Sequence, residues 1–287
     1  MSIINNPFLY VIMKFNKFVP TQSRSFIRKY YHGLFDIQYW KESSNLFPGL
    51  GWFLHPQAYI SRNRMRRFKN RHFGERCFII GNGPSLKHMD LSPLRNEITF
   101  GLNRIYLIFR ELGFQTTYYT SINVLVLEQC HHEIYNLKMP KFISWYARNF
   151  IGFSPDIFYI RDSYQGSEGF AEDPTWEIRE GATVTFVAMQ LAFFMGFKQV
   201  ILIGVDHSFT TQGVPNSEII SQGDDPNHFD SSYFGKGFRW QLPDLEKSER
   251  HYKIAKEYYE HDGREIVDAT SDGKLHVFPK VSFSSFF

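Results

Sequence analysis

The apolar run Cys77-Phe78-Ile79-Ile80 stops at Gly81-Asn82-Gly83 and passes at once into Pro84, Ser85 and Leu86. Such an order reads as a buried strand, a tight glycine turn and a helix with Pro near its first position. The same alternation recurs downstream. Strands are predicted at 77–80, 98–102, 117–121, 141–145, 157–160, 200–204 and 265–268. Helical stretches are predicted at 84–89, 104–112, 124–136, 183–196 and 244–261. A chain that alternates in this way favours an α/β fold built on a doubly wound, mostly parallel sheet.

In open parallel sheets, ligands sit beyond the carboxyl ends of the strands, near the switch in strand order. That rule nominates the Gly81–Ser85 turn, Asn103 after the second strand, and Asp206-His207-Ser208 after the sixth. Free N–H groups at a helix start, with the positive end of its dipole, attract phosphate, and glycine permits close approach. A nucleotide or nucleotide-sugar phosphate is therefore expected at Gly81, Asn82, Gly83 and Ser85. Leu86 stands where a dinucleotide fingerprint has its third glycine, and no Gly-Lys-Ser/Thr ending follows. Binding would then use main chain rather than a P-loop lysine; the alternative is a strand-to-helix turn with no ligand.

Residues 187–195 are apolar nearly all round, as a buried helix requires, and Gly196 reads as its stop. Thr183 or Thr185 can cap that helix or offer a hydroxyl to a phosphate or ribose. Residues 221–240 look like neither strand nor helix. A long ordered loop is often a functional lid, and this one carries His228, Asp230, Tyr233, Lys236 and Arg239. The competing reading is a surface loop held down by Tyr and Trp. His207, after Asp206, can accept from a ligand or contact phosphate, and Asp206 can orient a loop or hold a sugar hydroxyl. His131, His132, His251 and His261 read as solvated. Asp224-Asp225 can bind Mg²⁺ or simply shape the turn before Pro226.

Charge divides the chain. Residues 1–72 carry twelve Lys or Arg against two acids, a balance of +10, and the remainder balances at −7. Basic and aromatic residues are interleaved there, as in Phe26-Ile27-Arg28-Lys29-Tyr30-Tyr31 and Arg62-Asn63-Arg64-Met65-Arg66-Arg67-Phe68. We read residues 1–73 as a basic aromatic arm and 74–287 as the catalytic domain. The arm suits an anionic lipid surface or packing on the domain through its aromatics, ahead of nucleic acid, for which no recognition motif is present. Two cysteines, Cys77 and Cys130, match no metal spacing and favour a reducing compartment. No apolar run approaches the ~20 residues of a membrane span, and the apolar start lacks a preceding basic region. The expectation is a cytoplasmic protein, peripheral on the inner face of the membrane if the arm binds lipid.

The block Phe78-Ile79-Ile80-Gly81-Asn82-Gly83-Pro84-Ser85-Leu86, with Asn103 and the later Gly196-Phe197-Lys198-Gln199-Val200-Ile201-Leu202-Ile203-Gly204-Val205-Asp206, resembles the 6-hydroxymethylpterin diphosphokinase MptE-like family. It is similar also to the bacterial sialyltransferases of glycosyltransferase family 42, over roughly residues 76–280. The second resemblance implies a Rossmann-like, sialyltransferase-like sheet that binds a CMP-activated acidic sugar at Gly81, Asn82, Gly83, Ser85 and Asn103. It implies a late-loop histidine, His228 here, as base towards a glycan or lipid-linked hydroxyl. The tyrosines that assist CMP departure in that family do not carry over, which leaves His207, Lys236 or Tyr233 for the task. No obligatory cofactor or metal is implied. The first resemblance implies instead transfer of pyrophosphate from ATP to a pterin alcohol with Mg²⁺, for which Asp206, Asp224 and Asp225 are the carboxylates on offer. A nucleotide-binding module without catalysis is the third reading.

Overall fold

The computed structural model describes residues 52–53, 55–163 and 168–287; most of the basic arm lies outside them. Eleven strands are present among the described residues: β1 Arg76–Ile80, β2 Thr99–Leu102, β3 Tyr118–Ser121, β4 Lys141–Ser144, β5 Ile157–Ile160, β6 Asp162–Ser163, β7 Ile178–Arg179, β8 Gln199–Ile203, β9 Glu218–Ile220, β10 Arg239–Gln241 and β11 Glu265–Asp268. Seven form one sheet in the order β11-β8-β1-β2-β3-β4-β5. Every pairing in it is parallel. All seven predicted strands are found, displaced by no more than a residue or so at their ends. Order reverses at β1, which lies between β2 and β8.

The helices are α1 Pro56–Met65, α2 Phe109–Leu112, α3 Val124–Gln129, α4 His131–Asn136, α5 Val184–Met195 and α6 Leu245–His261. Strand side chains alternate between faces. Cys77, Ile79, Phe100, Leu102, Val200 and Leu202 accordingly share one apolar cluster with Phe186, Val187, Leu191 and Phe194 of α5. Phe78 points the other way, against the rings of Phe283, Phe286 and Phe287. Helix α5 is buried almost throughout, as its uniform apolarity predicts, and its only amide side chain is fully used. Gln190 accepts from the Ala171 and Arg179 amides and donates to the carbonyls of Arg179 and Phe186. That staple fixes the segment leading into Thr183.

Several local expectations are corrected. The stretch after the glycine turn is a 3₁₀ turn, Pro84–His88, not an α-helix. The 104–112 stretch opens as a 3₁₀ turn at Ile105–Ile108 before α2. The single helix expected over 124–136 breaks at Cys130 into α3 and α4. The supposedly irregular 221–240 loop ends in β10, which pairs antiparallel with β9. His251 is buried rather than solvated, its Nδ1 donating to the Lys247 carbonyl and its ring edge-on to Phe186.

Candidate functional site

A cavity of about 170 Å³ opens at the carboxyl ends of β1, β2 and β8, at the reversal of strand order. Of the residues nominated from sequence, Gly81, Asn82, Gly83, Asn103, Thr183, Asp206, His207, His228 and Tyr233 line it. Among those that do not line it are Lys236 and Ser85. Lys236 is exposed on the late loop away from the cavity, and Ser85 is turned into the protein.

The glycine turn is not an open anion nest. Gly81 N–H donates to Ile203 O at 2.8 Å, Gly83 N–H to Gly204 O at 2.9 Å and Leu86 N–H to Gly83 O at 3.3 Å. Ser85 N–H and Oγ–H donate to the two oxygens of Asp206, at 3.0 and 2.7 Å. The Asp206 carboxylate thus stands where a ligand phosphate was expected. A five-residue 3₁₀ turn also lacks the dipole of a helix. The glycines serve a close chain crossing. A Cβ at Gly81 would overlap the Gly204 carbonyl, and one at Gly83 would overlap the Asp206 carboxylate. Burial pushes the Asp206 carboxyl above its ordinary range, and the Ser85 hydrogen bonds offset part of that.

What the turn offers the cavity is Asn82. Its amide N–H, unlike those of Gly81, Gly83, Ser85 and Leu86, has no acceptor among the described residues. Its Nδ2 donates to Leu102 O at 3.1 Å, and its Oδ1 is buried without a partner. Asn103 accepts from Ser121 Oγ at 2.9 Å through Oδ1, which leaves its Nδ2 as a donor. Thr183 caps α5, its Oγ1 accepting from Thr185 N–H at 3.2 Å. Three cavity residues, Asn103, Ala182 and His207, have left-handed backbones with φ of 48°, 62° and 53°. Non-glycine residues held there cost free energy and gather at functional sites.

The late loop supplies a histidine–aspartate pair. His228 Nδ1 lies 2.6 Å from Asp225 Oδ2, and both side chains are buried. The same carboxylate accepts from Asn227 and Phe234 amides at 2.8 and 3.0 Å. Burial raises the Asp225 carboxyl, but the His228 and backbone hydrogen bonds outweigh it and hold it below its usual value. An ionised Asp225 requires a proton on Nδ1, so the Nε2 lone pair remains available to a ligand. The imidazole stacks on Tyr233 at 4.0 Å with planes 9° apart. Tyr233 is itself clamped: Arg104 N–H donates to its hydroxyl at 3.3 Å, and the Arg104 guanidinium donates to the carbonyls of Ser232 and Tyr233. Phe229 N–H donates to Asn82 O at 2.9 Å, joining this loop to the glycine turn. His207 differs. Its Nε2 pairs with Glu249 Oε1 at 3.2 Å, and burial depresses its pKa despite that carboxylate.

Sequence reasoning missed the roles of Asp225 and Arg104. The Asp-x-x-His spacing at 225–228 is a usable signal, because an aspartate opening a turn reaches three residues ahead. Arg104 carries no comparable signal, since Ser232 and Tyr233 lie far along the chain.

The Asp225 bonds predict a pH dependence. A carboxylate with a depressed folded pKa stabilises the native state above its unfolded value, about 3.9 for Asp, and loses that contribution as pH falls through the lower folded value. Urea midpoints should therefore fall as pH drops below about 4 in the wild type, and fall less steeply in Asp225→Asn. Parallel acid profiles for the two proteins would refute the ionised pair.

The carboxylates at and beside the cavity are engaged by the protein. Both oxygens of Asp206 are held by Ser85, those of Asp225 by His228 and two amides, and Asp224 faces a separate cavity. Among the described residues, no three His, Cys, Asp or Glu side chains converge.

Fold and cavity together define an α/β protein of Rossmann type, with its site at the switch point of a parallel sheet. The model of the 6-hydroxymethylpterin diphosphokinase MptE-like family matches residues 53–212, more than half of the chain, and the chain belongs to that family. Among solved structures, the MAf glycosyltransferase from Magnetospirillum magneticum AMB-1 is similar at a TM-score of 0.50 and 15% identity. That similarity covers 80% of this chain but 39% of the other, so the chain spans about two fifths of its length. A mammalian sialyltransferase in complex with Gal-beta-1-3GalNAc-ortho-nitrophenol aligns at a TM-score of 0.32 and 9% identity, over 75% of this chain and 79% of that one. A similarity that low bears on neither fold nor chemistry. No curated protein matches the chain.

Proposed function

We propose that the protein is a group-transfer enzyme that uses a nucleotide-activated donor and an alcohol acceptor, with a CMP-linked acidic sugar as donor and a glycan hydroxyl as acceptor. The observation that carries this reading is the Asp225–His228 pair at the cavity wall, with a lone pair left on Nε2. His228 would take the proton of the acceptor hydroxyl. The acceptor oxygen would then bond to the sugar carbon as the carbon–oxygen bond to the CMP phosphate breaks. Asp225 would hold the imidazole in the competent tautomer and stabilise it once charged.

With the backbone nest closed, the donor would be held by the Asn82 amide N–H, the Asn103 side-chain amide and the Thr183 region. Of the three groups considered for the departing phosphate, Lys236 lies off the cavity, whereas Tyr233 accepts at its hydroxyl from Arg104 N–H and keeps its O–H proton to donate. His207, neutral by burial and with Nε2 on Glu249, has only a lone pair at Nδ1 and offers that phosphate no proton. The carboxylates at the cavity are engaged by the loops they hold, so this reading has no obligatory divalent cation.

Family membership favours a second reading, transfer of pyrophosphate from ATP to 6-hydroxymethylpterin. The two part experimentally. In a thermal-shift panel of CMP, CDP, UDP, GDP and ATP, a ligand at 100 times its dissociation constant stabilises the fold by about 2.7 kcal/mol. Stabilisation by CMP, with turnover that persists in EDTA, is the expected outcome. Stabilisation by ATP with Mg²⁺, and activity abolished by EDTA and restored by Mg²⁺, would replace it with the diphosphokinase.

A further inference from the structure

We propose that the short segment between α1 and β1, residues 66–73, is a docking surface for an anionic lipid bilayer. Arg66, Arg67, Lys69 and Arg71 are all exposed. Among the described residues none of them forms an ion pair; the neighbouring acid, Glu75, is taken by His72. Phe73 follows directly and is 76% exposed, and Phe153, under the Arg64 guanidinium, is 47% exposed. Exposed cations on the same segment as an exposed aromatic ring match a bilayer interface. Phosphate headgroups meet the charge there, and the rings enter the boundary below.

The segment is rigid enough to present that face. The N–H groups of Asn70, His72 and Gly74 donate to the carbonyls of Phe194, Met195 and Gly196, closing the end of α5. Phe68 is buried in the core beneath, with the Arg67 and Arg71 guanidinium groups over its ring. The stems lie on apolar surface while the charges reach water. Because β1 and β8 are parallel, this segment lies at the amino ends of the strands and the cavity at their carboxyl ends. A bilayer bound here would leave the cavity facing away from the lipid. The residues preceding 52 carry six further Lys or Arg against two acids, so the sequence continues the same charge.

The test is co-sedimentation of the full chain with phosphatidylcholine vesicles, with and without about 30% phosphatidylglycerol. Binding is expected only with the anionic lipid and should weaken in 0.5 M salt. Each basic residue at the surface contributes about fivefold to partitioning, so R66Q/K69Q should lower it about 25-fold. Neither of those side chains packs on a ring, so this variant keeps the Phe68 contacts and its fold, checked by circular dichroism. Phe73→Ser should lower binding to anionic vesicles further at high salt than at low salt. Equal partitioning to both vesicle types, or an unchanged R66Q/K69Q, would overturn the proposal. Tighter binding of a short nucleic-acid duplex than of anionic vesicles, lost in the same variant, would overturn it in favour of nucleic acid.

Discussion

Replacing His228 by Asn should lower turnover by about 10²–10⁴-fold, the usual contribution of a positioned general base, with the fold and nucleotide binding retained. Asn is the informative substitution. Its amide N–H can take the place of Nδ1–H on the buried Asp225 carboxylate, which otherwise loses a charge-assisted bond. His228→Ala removes the base as well, but it leaves that carboxylate short of a donor and opens space beside Tyr233. A lower melting temperature would then accompany the lost activity. Comparing the two variants separates chemistry from structure. Full turnover in His228→Asn would remove His228 from the mechanism, and the proposed transfer chemistry would lose its base.

A single methyl group at Gly83 should destabilise the protein by about 3 kcal/mol or more, the upper range for overpacking a filled site. For a domain of this size that corresponds to a loss of roughly 6–12 °C in Tm. The backbone is not the obstacle, since Gly83 has φ of −69° and ψ of 158°, which any residue adopts. The obstacle is volume. The added Cβ would fall on the Asp206 carboxylate, and the Gly204 carbonyl lies 2.9 Å from it. Displacing Asp206 would release both Ser85 bonds together, leaving a buried hydroxyl and amide in search of partners. Thermal unfolding of ligand-free Gly83→Ala is the decisive measurement. If its Tm matched the wild type while nucleotide binding disappeared, the glycine would be serving a ligand instead of the close approach of the turns after β1 and β8.

These two expectations show where sequence patterns lead and where they stop. Alternating apolar runs and helical stretches were enough to place the seven strands of the sheet, because burial on both faces demands continuous apolar strands. Gly-Asn-Gly-Pro-Ser was correctly located at the carboxyl end of β1, and the switch-point rule correctly gathered Asn103, Asp206 and His207 around one cavity. The partner of the turn was read wrongly. From residues 81–86 alone, a loop of glycines and amides that awaits an external anion is indistinguishable from one already holding an internal carboxylate. Asp206 lies 121 residues from Ser85, and nothing local announces that its oxygens accept the Ser85 donors.

The late loop makes the same distinction. His228, Tyr233 and Lys236 looked equivalent as parts of a lid, and Asp225 looked like a turn-former or a metal ligand. Three-dimensional packing sorted them: Asp225 onto His228, Tyr233 under the imidazole and against Arg104, Lys236 out to solvent. What the order of residues determined unaided was the α/β architecture and the end of the sheet at which a ligand would be met, since both follow from periodic burial along a local stretch of chain. Which groups keep a free lone pair or N–H was decided only by tertiary structure, because a hydrogen-bonding group is spent or spared by whatever distant residue the fold brings beside it.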